Sequence, residues 1–189
     1  MVQGYPMTLD ADAQRAVANW AVLKGLVAAQ VSKDEKHFIP DWHYERVCTA
    51  QGAPANTVLV WIAQRKDLVH PDRPGRVRLF DSHVMPLTRA EGLDTKPLFA
   101  DYIAAGRVLT GTIFQVGHFF ALVVQHDWPG LRSRPKPGTD AERAFLQVWP
   151  AGDVEIQWPP ALPVDGLGDP HQVTKFLQMA PPLVPVYEP

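Results

Sequence analysis

The chain has little cysteine, little charge imbalance and no long apolar run, and each shortage removes a class of function. Cys48 is the only cysteine among 189 residues, which rules out an internal disulfide and any zinc site needing two or more thiolates. Cys48 itself reads as a small apolar helix residue, not as a reactive nucleophile. Eighteen lysines and arginines against 20 aspartates and glutamates leave a formal charge of -2. That balance lacks the cationic excess that drives non-specific attraction to a phosphate backbone. The longest apolar stretches, such as residues 25–29 and 119–124, fall far short of the roughly 20 residues needed to cross a bilayer. No membrane span is therefore expected. The first residues carry no basic segment followed by an apolar one, so no secretory signal is read and the expected compartment is the cytoplasm. The sequence also lacks a Gly-x-Ser-x-Gly elbow, a Gly-Lys-Ser phosphate loop and a His-Glu-x-x-His pair.

What is present predicts an α+β domain over residues 1–180 and a proline-rich tail over 181–189. A hydrophobic fraction of 46% supports one substantial core at this length. Ala13, Val17, Trp20, Leu23 or Lys24, and Val27 recur at helical spacing opposite Asp10, Asp12 and Arg15. This pattern predicts an amphipathic helix over about residues 9–30, capped by Thr8. Pro40 suggests the start of a second helix over 41–50. From Thr57 the composition turns to β-branched and aromatic residues, predicting a strand over 57–63 and another, wet on one face, over 76–82. Residues 97–105 suggest a helical turn. Residues 108–115 and 118–126 read as a hairpin closing at Val116 and Gly117, with Phe114, Phe119, Phe120, Leu122 and Val124 in the core. Residues 128–138 read as a loop. Two short strands, each ended by a Trp-Pro pair, follow at 145–150 and 154–160, and a short C-terminal helix is predicted over 170–179. Helices gathered before residue 51 and strands after it favour N-terminal helices packed on a mainly antiparallel sheet.

Seven histidines invite a metal reading, but their spacing matches no ligand motif, and neither metal nor cofactor is expected. His118 and His126 would lie about 26 Å apart on one straight strand at roughly 3.3 Å per residue. His70, Asp81 and His83 are the weak catalytic candidates, since a histidine base oriented by a carboxylate is a common hydrolytic arrangement. Arg65, Lys66, Arg73, Arg76 and Arg78 form a locally basic segment suited to phosphate contact, and Arg132, Arg134 and Lys136 repeat the theme. Six tryptophans serve core packing or interfaces equally well, and Trp128, Trp149 and Trp158 are the interface candidates. The tail contains one Pro-x-x-Pro spacing, from Pro182 to Pro185.

The order of segments carries a resemblance. Residues 8–14, Trp20 to Lys24, Ile39-Pro40, Val58 to Ile62, Thr112 to Gly117, Val148 to Pro150 and Ile156 to Pro160 together resemble the C-terminal region of actinobacterial HNH-endonuclease-like proteins, across most of residues 7–168. The resemblance implies a zinc-stabilised HNH module upstream, with paired cysteines and a catalytic histidine. No residue of this chain matches those positions, so no catalytic residue carries over. The reading that follows is a non-catalytic binding module whose partner is a protein. A nucleic-acid-binding accessory domain and a metal-dependent hydrolase are the alternatives.

Overall fold

The computed structural model describes residues 5–31, 44, 45, 47, 49, 54, 57–66, 80–86, 109–126, 131–135, 137–164 and 177–180, with 80–86 and 177–180 traced by their backbone. In chain order these form β1 (Met7–Leu9), α1 (Ala11–Val31), β2 (Val58–Gln64), β3 (Phe80–Pro86), β4 (Leu109–Val116), β5 (Phe119–His126), β6 (Arg132–Pro135), α2 (Ala141–Ala144), β7 (Phe145–Trp149), β8 (Ile156–Trp158) and β9 (Leu177–Ala180). The architecture is α+β. An antiparallel sheet of order β3-β4-β5-β2-β7 forms its centre, and two-stranded pairs β1-β8 and β6-β9 flank it.

Every residue from Val58 to Ala63 and from Phe119 to His126 is buried, because the central strands β2 and β5 are covered on both faces. Alternation then sorts side chains between two cores. Val58, Val60, Ile62, Phe114, Phe119, Ala121 and Val123 join α1 on one face. Leu59, Trp61, Ala63, Ile113, Phe120, Leu122 and Val124 meet α2 and Phe145 on the other. All five hairpin residues expected in the core are buried there. Gly117 closes the β4-β5 hairpin with a φ of 57°, the left-handed conformation that glycine takes without a Cβ penalty.

Helix α1 begins one residue after Asp10, whose Oδ1 accepts from the Ala13 amide at 2.8 Å. Asp10 is therefore the cap, in place of Thr8. A side-chain oxygen at this position satisfies a first-turn amide that has no carbonyl partner within the helix. Thr8 sits instead in β1, with its hydroxyl 3.3 Å from Gln157 Oε1. The described residues Tyr44, Glu45, Val47 and Thr49 are helical, as expected for the second helix, while Cys48 lies outside the described residues.

Two expectations for the C-terminal half change. Arg132–Pro135, read as loop, is strand β6, and Leu177–Ala180, read as the end of a helix, is strand β9 paired with it. Residues 170–176, 97–105 and the tail 181–189 lie outside the described residues. The two Trp-Pro strands are both present, yet they join different sheets: β7 pairs with β2, and β8 pairs with β1. The β2-β7 register shifts between Val60 and Trp61, which gives β7 one extra residue and turns the fully buried Val148 into the α1-side core.

Candidate apolar groove and the sequence candidates

Helix α1 carries apolar residues on two opposite faces. Its inner face is made of small or slim residues: Ala18, Ala21, Val22 and Leu26 are buried, and a Cβ on Gly25 would stand 3.4 Å from Thr112 Cγ2. Small side chains let the helix lie close on β4. Gln14 is buried on the same face, where its Nε2 donates to the backbone oxygens of Leu9 (2.9 Å) and Val154 (3.0 Å), tying helix, β1 and the approach to β8 together. The stripe that marked the helix in the sequence is largely the outer one. Trp20, Leu23 and Val27 are 37%, 46% and 51% exposed.

Beside that outer stripe lies a groove of about 380 Å³ lined by Ala16, Val17, Trp20, Val116 and Phe119. Trp20 forms its wall. The indole packs edge-on against Phe114 and Phe119, with ring centroids 5.5 Å away in both cases. Phe119 in turn packs on Trp158 at 5.8 Å, so the floor is rooted in the core. Val116, 40% exposed at the end of β4, forms the far side. Among the described residues the lining contains no ionisable side chain and is suited to holding apolar matter.

A second constellation sits close by, where the end of β2 meets the Val116–Phe119 turn. The Arg65 guanidinium is 5% exposed and donates from Nη1 to Gln115 Oε1 at 2.6 Å, while Gln115 Nε2 donates to the Gly117 oxygen at 2.7 Å. The Arg65 amide donates to the His118 oxygen at 2.8 Å, and His118 Nδ1 lies 2.8 Å from the Arg65 oxygen. Val164 joins by its amide to the Gln64 oxygen at 2.7 Å. These bonds pin the hairpin turn, the end of β2 and the returning chain to one another. Of the basic candidates for phosphate contact, Arg65 is thus buried and engaged inside the protein, while Lys66 and Arg134 are exposed. Arg73, Arg76 and Arg78 lie outside the described residues.

Asp81 and His83 fall on β3, with Gln115 and Ile113 as their register partners on β4, and His70 lies outside the described residues. The three are not brought together among the described residues, and no cluster of three histidine, cysteine, aspartate or glutamate side chains gathers there. His118 and His126 stand at opposite ends of β5, as their spacing predicts, with His126 fully buried. Of the interface candidates, Trp158 is 4% exposed and belongs to the core, Trp149 is half-buried against the α1-side core, and Trp128 lies outside the described residues. Among the described residues the exposed tryptophan is Trp20. Sequence reading assigned it to the helix stripe and passed over the surplus of apolar residues that α1 carries for a one-faced helix.

No helix among the described residues is long and apolar enough to cross a membrane. No protein-family model, curated protein or solved structure matches the chain.

Proposed function

We propose that this protein is a non-catalytic binding module that acts through protein contacts, in the cytoplasm, using the outer face of α1 and the groove beside it. One observation carries the reading: an exposed apolar stripe with a tryptophan wall and a recess beneath it. An exposed apolar stripe on a helix gains from being covered, and tryptophan is among the side chains that contribute most to protein interfaces. Kinship with the accessory regions of HNH-endonuclease-like proteins is part of the same proposal and rests on the order of the sequence motifs. Burial of Arg65 weakens the nucleic-acid alternative, because a guanidinium held inside the fold does not meet phosphate.

The test compares the full chain with Leu23→Glu as affinity baits in host lysate, with bound proteins identified and their stoichiometry measured. The side chain at 23 faces solvent, so the variant should fold normally. A stoichiometric protein held by the parent and lost from Leu23→Glu is the expected outcome. Equal capture by both baits would remove the α1 face from the reading.

A further inference from the structure

We draw no further inference here: the strongest candidate, the pair of buried polar side chains Thr112 and Gln125 on the α1-facing side of β4 and β5, carries nothing because no groove among the described residues reaches it and nothing in the structure shows what it would hold.

Discussion

Gly25 marks a close approach of α1 to β4, and the size of that gap predicts opposite outcomes for two substitutions. An alanine Cβ at 25 would lie 3.4 Å from Thr112 Cγ2 and 3.5 Å from Thr112 Cβ. Carbon atoms pack best at about 3.5–4.0 Å, so the new methyl meets the threonine at the short edge of ordinary contact. Against this stands the helix term: alanine is favoured over glycine in a helix interior by about 0.8–1.0 kcal/mol. Gly25→Ala should therefore stabilise the protein by about 0.5–1 kcal/mol, raising Tm by roughly 2–3 °C for a chain of this size. Gly25→Val places branched methyls where no space remains, and overpacking of this kind costs about 1–3 kcal/mol, more than the helix term returns. Thr112→Ser removes Cγ2, the nearest obstacle, and should recover part of that loss. The double-mutant cycle of Gly25→Val with Thr112→Ser should show a coupling of at least about 0.5 kcal/mol. Urea denaturation of the parent and the four variants, with m-values compared, is the assay. Destabilisation of Gly25→Ala by more than about 0.5 kcal/mol, or no coupling between positions 25 and 112, would refute the packing of α1 on β4.

Thr112 offers a second test. Its Oγ1 is buried without a hydrogen bond, so Thr112→Val exchanges an unsatisfied hydroxyl for a methyl and should stabilise by about 1 kcal/mol in thermal melts. A loss of stability would mean that the hydroxyl has a partner. Asp10→Ala removes the cap on the Ala13 amide and should cost about 1 kcal/mol, with Asp10→Asn nearly neutral and Thr8→Ala much smaller, as followed by helical circular dichroism during denaturation. Gln115→Leu deprives the buried Arg65 guanidinium of its 2.6 Å acceptor and should cost about 2–3 kcal/mol, while hydrogen exchange speeds up at the Gly117 turn. Leu23→Glu, by contrast, should leave the denaturation midpoint within about 0.5 kcal/mol of the parent while removing binding.

The hairpin and the strand from Val58 were legible in the sequence because their signals are local. Gly117 between two apolar runs specifies a tight turn, and a run such as Val58 to Ala63 needs burial on both faces wherever it lies. Of the small strands, β8 was legible from its Trp-Pro end, whereas β1, β6 and β9 were not. Three-residue β1 and four-residue β6 and β9 are too short to show a period, and each is a strand only because a distant segment pairs with it: Met7 with Trp158, Arg132 with Ala180. Pairing across more than a hundred residues, as for β1 and β8, leaves no trace in either segment alone. The same limit explains the two Trp-Pro strands. Their likeness suggested a common place in the fold, while their partners lie in different sheets. Arg65 shows the limit for charge: a basic residue reads as surface until Gln115, fifty residues later, is seen to take it inside.

The helix expected over about residues 9–30 is α1, and what periodicity did not separate is its two apolar faces. A helix lying on a sheet needs one apolar face, and α1 meets that need with Ala18, Ala21, Val22 and Leu26, residues small enough to pass for filler in a periodicity count. The larger residues dominated the pattern, although the closest packing at Gly25 is made against Thr112 by the small-residue face. Trp20 packs its indole on Phe114 and Phe119 and stays 37% exposed, while Leu23 and Val27 are 46% and 51% exposed. Packing stability alone would be served as well by glutamate or lysine at 23 and 27, which favour helix and cost little at a solvent-facing position. The apolar residues at these positions are therefore the observation on which the proposed binding face rests, and Leu23→Glu is the substitution that tests it.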